Sequence, residues 1–173
     1  MKEVQKLRIL QNLLQRTFNM LVNFDILPDN SRLWVYAAER QLTNEQEEYI
    51  LKSISDHIQG WESHKVPLTA GVNILENHFI VVALDESKNV ASGCSIDTLQ
   101  HKIQDLEKEL SISLMNRLNV FCRINDQIKC VPSFKLDSIA KYDTLFYDLT
   151  IERKSALQSY LKPICKGWCA HLL

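Results

Sequence analysis

Phe79-Ile-Val-Val-Ala-Leu84 constrains this fold more than any other stretch of the chain. A strand with one wet face alternates apolar and polar residues, so a strand that is apolar throughout has to be buried on both faces. The neighbouring sequence supplies partners for it. Val72–Leu75 lies just upstream, and Glu76-Asn77 between the two runs suits a tight hairpin. Arg32-Leu-Trp-Val-Tyr-Ala37 is a further strand by composition, with Leu33, Val35 and Ala37 facing one way and Trp34 and Tyr36 the other.

Helices separate these strands. Thr43-Asn-Glu-Gln46 reads as a capping box, followed by a stripe of Ile50, Ile54, Ile58 and Trp61, with Gly60 as the stop. After the apolar strand, Ile96, Leu99, Ile103, Leu106 and Leu110 recur at helical spacing. Val120–Ile124 and Ile128–Val131 form a second hairpin around Asn125-Asp-Gln127. A three-residue loop there sets Cys122 opposite Cys130 on one face, a pair we read as core rather than a redox switch. The tail offers a short helix over Leu136–Lys141, a strand at Thr144–Tyr147 and a terminal helix from about Glu152, split by Pro163.

The order strand, helix, strand, strand, helix, strand predicts an α+β fold with a ferredoxin-like βαββαβ core over about 32–124. To it are added the extra hairpin strand, the further strand and the C-terminal helices. Residues 2–22 have the spacing of an amphipathic helix (Val4, Leu7, Leu10, Leu14, Phe18, Leu21) with Lys2, Lys6, Arg8 and Arg16 against Glu3. That helix suits packing on the domain or on a partner, with membrane-surface attachment as the alternative. Met20 as the true start is a third reading. Residues 1–22 are thus an N-terminal helical extension, and 24–173 a single α+β domain.

Composition removes several functions. At 46% hydrophobic and 24% charged, the chain is neither disordered nor a coiled coil. A net charge of −1 gives no general attraction to nucleic acid or acidic membrane, although Arg32, Trp34 and Tyr36 on one strand would suit base stacking. No apolar run reaches the roughly 18–20 residues of a transmembrane helix, and no signal peptide opens the chain. Five cysteines without a secretion signal point to free thiols in a cytoplasmic protein. No cofactor is implied, since the four glycines build neither a P-loop nor a dinucleotide-binding loop. No metal site is expected either: Cys165, Cys169 and His171 lack a fourth ligand, and Leu161, Ile164 and Trp168 favour core packing.

The chemistry-bearing stretch is Ala91-Ser-Gly-Cys-Ser-Ile-Asp97, where a strand ends and a helix begins. Free N–H groups at a helix start favour a thiolate or a bound anion. In the ferredoxin-like arrangement Trp61, His64, Asp85, Glu86 and the Asn125-Asp126 turn come to the same end. Cys94 is then a candidate nucleophile, His64 its base, and Glu86 or Asp97 the group orienting the imidazole. Ser92, Gly93, Ser95, Trp61 and Arg40 are candidate ligand-binding residues around it. The structural alternative is a plain cap by Ser92 or Ser95, with Asp97 favourable in the first turn.

Ser31-Arg-Leu-Trp-Val-Tyr36 with Arg40, Trp61-x-x-His64-x-x-Pro-Leu68, Phe79 through Asp85-Glu86, and Ser92-Gly-Cys-Ser-Ile-Asp97 resemble an uncharacterised bacterial family whose members are often called ABC transporter ATPases. The similarity runs from about Phe24 to the C-terminus and includes Thr144-Leu-Phe-Tyr-Asp148 and Trp168, while Gly71 stands where the family implies a serine. An ABC ATPase needs a Walker A loop, and none precedes Val81-Val-Ala-Leu-Asp-Glu86, so the resemblance implies a family without supplying that activity. The expected function is a cytosolic ligand-binding or protein-interaction domain, self-associating through a sheet or the first helix, with an anion or ligand site at Ser92–Asp97. The alternative is a thiol-dependent hydrolase, acyl transferase or redox enzyme.

Overall fold

In a computed structural model, which describes residues 20–173, the chain is α+β. The helix expected over 2–22 lies outside the described residues except for Met20–Val22, which are not helical: Leu21 forms a parallel bridge with Ala70. Ala70 N–H donates to the Met20 carbonyl at 2.8 Å, and Val22 N–H to the Ala70 carbonyl at 2.9 Å.

Strands β1 (Arg32–Ala37), β4 (Thr69–Leu75) and β5 (Phe79–Asp85) form a three-stranded antiparallel sheet in the order β1-β5-β4. Helices α1 (Asn44–Gln59) and α2 (Gly93–Leu110) cover one face through Ile50, Ile54, Ile58, Leu99, Ile103 and Leu106. Tyr36, Ile80, Val82 and Leu84 meet them from the sheet. On the other face Leu33, Val81 and Ala83 pack on Phe24 and Leu27, while Ala37 and Phe79 pack on Phe121 and Tyr147. Every residue from Phe79 to Leu84 is 0% exposed, as its composition demands. Each large aliphatic side chain so buried contributes about 1.5–3 kcal/mol. Tyr36 is buried and Trp34 half-buried under the helices, so the two do not make an exposed stacking face.

Helix α1 has the expected capping box, Gln46 N–H donating to Thr43 Oγ1 and Thr43 N–H to Gln46 Oε1, and it ends at Gly60. Between α1 and β4, the expected polar loop is a miniature hairpin, β2 (Glu62–Ser63) and β3 (Val66–Pro67), with His64 and Lys65 both at positive φ in its turn. At Gly71 a Cβ would fall 2.7 Å from the Val22 carbonyl oxygen and 3.0 Å from Phe24 Cα. The incoming chain lies too close for any side chain there.

The fourth strand of the ferredoxin-like arrangement does not join this sheet. β6 (Asn119–Ile124) instead belongs to a second sheet of order β7-β6-β8-β9, with β7 at Gln127–Pro132, β8 at Leu145–Tyr147 and β9 at Leu161–Pro163. A tight aromatic group joins the two sheets: Phe79 lies 4.5 Å from Tyr147 and 5.7 Å from Phe121, ring centre to ring centre. Glu76 ties the same junction, accepting from Arg123, from Tyr147 Oη at 2.7 Å and from Tyr160 Oη at 3.0 Å. Burial first, and then the bond to Glu76, push the Tyr147 phenol up to about 12.

Two further expectations need correction. The β6–β7 loop is the two-residue turn Asn125-Asp126, both at positive φ, and Gln127 is already paired with Ile124. Cys130 therefore faces Phe121 rather than Cys122, and the two thiols lie on opposite sides of the hairpin. The tail holds the short helix α3 (Leu136–Ile139), but no long terminal helix follows. Lys154–Ser159, Ile164–Lys166 and Trp168–Leu172 are separate 3-10 turns, with β9 between the first two. Pairing of Leu161–Pro163 with β8 outweighs helical spacing there.

Candidate functional site

Two places beside the three-stranded sheet gather polar groups. The first is the start of α2. Ser92 is its N-cap, accepting from Ser95 N–H at 3.2 Å; the Ser95 hydroxyl donates back to the Ser92 carbonyl at 2.8 Å. Trp61, 2% exposed, donates its indole N–H to the Ser95 carbonyl at 2.7 Å, and Thr98 Oγ1 donates to the same oxygen at 2.8 Å. Cys94 is exposed, and with Glu62, His64 and Gly93 it lines an open depression. The expected neighbours Trp61, His64, Ser92, Gly93, Cys94 and Ser95 are thus together.

The other expected members are elsewhere. Glu86 turns away from His64 to Arg32 at 3.5 Å and Arg153 at 3.7 Å, so it cannot orient the imidazole. Asp97 lies exposed beyond the first turn of α2, outside the depression. Arg40 follows the Ala37 end of β1, whereas α2 starts from the Leu84 end of β5, which pairs with Arg32. It donates to Gln46 Oε1 at 3.5 Å and has no part in the depression. The Asn125-Asp126 turn is also at the far end, because β6 reaches Glu76 through Arg123. His57, on the Trp61 side, was not anticipated: its ring lies 5.9 Å from Trp61, and burial lowers its pKa.

The second place is the outer edge of β1, where the ferredoxin-like fourth strand was expected. Alternate residues of β1 address β5, and the others address this edge. At one end Lys154 N–H donates to the Ser31 carbonyl at 3.0 Å, and Leu33 N–H donates to the Glu152 carbonyl at 2.9 Å. At the other, Ala37 N–H donates to the Leu114 carbonyl at 3.0 Å. Between them, the Leu33 carbonyl and the N–H and carbonyl of Val35 have no hydrogen-bond partner among the described residues. The window between the two bonded ends is about 13 Å long at strand spacing.

A cavity of about 650 Å³ fills that window. Its apolar lining includes Leu114, Met115, Phe121, Leu149 and Ile151; its polar lining includes Arg32, Arg117, Arg153, Glu86 and Gln100. Gln100 donates to Tyr36 Oη at 3.0 Å. Burial raises the Tyr36 phenol far above its ordinary value, opposed by that bond and by Arg117, so it stays a neutral hydroxyl. Glu86 Oε1 is buried without a hydrogen bond among the described residues. Sequence reasoning gave no sign of this site, because an open strand edge is visible only once the pairing of β6 is known. Period-two alternation along Arg32–Ala37 does, however, assign Val35 to the same side as Leu33 and Ala37.

Among the described residues no group of three His, Cys, Asp or Glu side chains converges to hold a metal ion, and no helix is long and apolar enough to cross a membrane. Compared with protein-family models, curated proteins and solved structures, the chain matches none.

Proposed function

We propose that the chain is a cytosolic small-molecule-binding domain and that the cavity beside β1 is its site. The carrying observation is the row of unpaired backbone groups at Leu33 and Val35, opening into a partly open cleft of about 650 Å³. Buried backbone groups are almost always partnered, by protein, water or ligand. Ligand cavities fall at about 300–1,000 Å³ and combine apolar walls with a few polar groups that fix orientation. This cavity has that make-up. The test is amide chemical-shift mapping with a mixed library of water-soluble metabolites. The Val35 amide should move with at least one member, and a library that moves no cavity residue refutes the reading.

A second reading is favoured by one observation, the shared depression of Cys94 and His64. On it, Cys94 is a nucleophile and His64 its base, and the chain is a thiol-dependent enzyme. Alkylation rates against pH on a variant retaining only Cys94 decide this. A midpoint at or above about 8.5, the ordinary thiol value, and unchanged by His64→Ala, removes it.

A further inference from the structure

The open edge of β1 also specifies what the cavity should hold, an inference that rests on the binding reading above. Read in order, the edge presents an acceptor (Leu33 carbonyl), a donor (Val35 N–H) and an acceptor (Val35 carbonyl). A further strand cannot lie along it. Glu152–Lys154 occupy one end and Leu114 the other, so the vacancy is one paired residue long. The occupant is therefore a small molecule entering from the side. To satisfy all three groups its edge must run donor, acceptor, donor.

Among common planar metabolites, the 6-aminopurine edge has that order: an exocyclic N–H, a ring nitrogen, and a polarised ring C–H that acts as a weak donor. A uracil edge runs acceptor, donor, acceptor and meets like groups at every position. Cytosine places a carbonyl against the Val35 carbonyl, and the guanine pairing edge has a donor in its middle position. A flat base that continues the plane of the sheet would also fit the apolar lining from Met115 and Ile151. Trp168, 42% exposed on the same cavity, offers an aromatic face.

Charge sets the rest of the molecule. Arg32 and Arg153 share Glu86 as counter-ion, whereas Arg117 has no acidic partner among the described residues. One uncommitted guanidinium in the lining suits one anionic group. We propose that the β1 cavity binds an adenine mononucleotide, its base read by the backbone of Leu33 and Val35 and its phosphate by Arg117.

Calorimetric titration of the full chain with AMP, GMP, CMP, UMP and adenosine tests this. AMP should bind at least about tenfold tighter than UMP, CMP or GMP, a difference of roughly one lost hydrogen bond. It should also bind about tenfold tighter than adenosine, and Arg117→Met should erase that second difference alone. Val35→Pro removes the central donor and should erase the preference for adenine. If Val35→Pro fails to fold, the base series on the unaltered chain decides. UMP binding as tightly as AMP, or Arg117→Met leaving the AMP-to-adenosine ratio unchanged, overturns the assignment. If AMP does not bind at millimolar concentration while a library member still moves the Val35 amide, the adenine assignment fails and the binding site stands; if nothing moves that amide, both fail.

Discussion

The start of α2 and the outer edge of β1 are both breaks in regular structure, and they use their polar groups in opposite ways. At the helix start, Ser92, Ser95, Thr98 and Trp61 direct their hydrogen bonds at one another or at the Ser95 carbonyl. Little is left for a ligand beyond the exposed Cys94 and the first N–H groups. At the strand edge, three consecutive outward backbone groups between Leu33 and Val35 are unspent among the described residues. Unusual side chains clustered in sequence can thus be wholly occupied with local structure. Capacity for binding instead follows from which strands pair, and that is decided far along the chain. Four substitutions probe this contrast, each read as unfolding free energy in urea.

The largest effect belongs to the backbone groups of β1 that are already committed. Trp34 is paired with Val82 of β5, and its N–H is on the side facing that strand. Trp34→Pro should therefore cost about 3 kcal/mol or more beyond Trp34→Ala, since a proline removes the ladder bond and its ring intrudes where the bond was. The alanine control removes the aromatic packing on Trp61, centred 5.9 Å away, from the comparison. Equal stability of the two variants would mean that Trp34 N–H does not serve the sheet, and the assignment of inward and outward groups would reverse.

Trp61→Phe comes next. It deletes the indole N–H that reaches the Ser95 carbonyl at 2.7 Å inside a 2% exposed position. Thr98 Oγ1 still donates to that oxygen, so the acceptor is not orphaned. The loss is then one buried hydrogen bond and some packing, about 2 kcal/mol. A change under about 0.5 kcal/mol would show that the helix start is not held from below, and its polar groups would count as free in the same sense as those of β1.

The sequence made some of this architecture legible and hid the rest for definite physical reasons. The capping box at Thr43, the stripe through Ile58 and the two-sided burial of Phe79–Leu84 are local signals, and each element stands where they put it. The meeting of Trp61, His64 and Cys94 followed from strand and helix order alone. What failed were the inferences that needed a particular sheet edge or register. β6 pairs with β7 and β8 instead of β1, so Glu86 and the Asn125-Asp126 turn lie away from Cys94. One residue fewer in the β6–β7 turn put Cys130 on the opposite face from Cys122. The tail has helical spacing, yet Leu161–Pro163 add to β8, and Lys154 is held by its N–H on the Ser31 carbonyl and its ammonium on the Leu27 carbonyl at 2.6 Å. Such choices depend on sheet edges that no local pattern encodes.

Ser92→Ala should cost about 1 kcal/mol, the usual value of a serine N-cap. It removes the acceptor of Ser95 N–H, while the Ser95 hydroxyl keeps its bond to the Ser92 carbonyl. If alkylation of Cys94 slows by the same substitution while the helix stays folded, the cap also conditions the thiol, and the helix start has a chemical role beyond structure.

The smallest expected effect is the most informative. Val35 N–H faces the cavity with no partner among the described residues, so Val35→Pro forfeits no ladder bond. Proline is tolerated in a strand where the lost N–H faces out of the sheet, and its ring here has the cavity to occupy. Relative to Val35→Ala, the cost should stay within about 1 kcal/mol, against 3 or more one residue earlier. Two adjacent prolines in one strand with such different costs would be the direct signature of an open edge. If instead Val35→Pro unfolds the domain as Trp34→Pro does, the edge does not accommodate a proline ring, and amide hydrogen exchange on the unaltered chain decides. A Val35 amide as protected as that of Trp34 would be spent on the protein itself, and the reason to place a ligand at β1 would go with it.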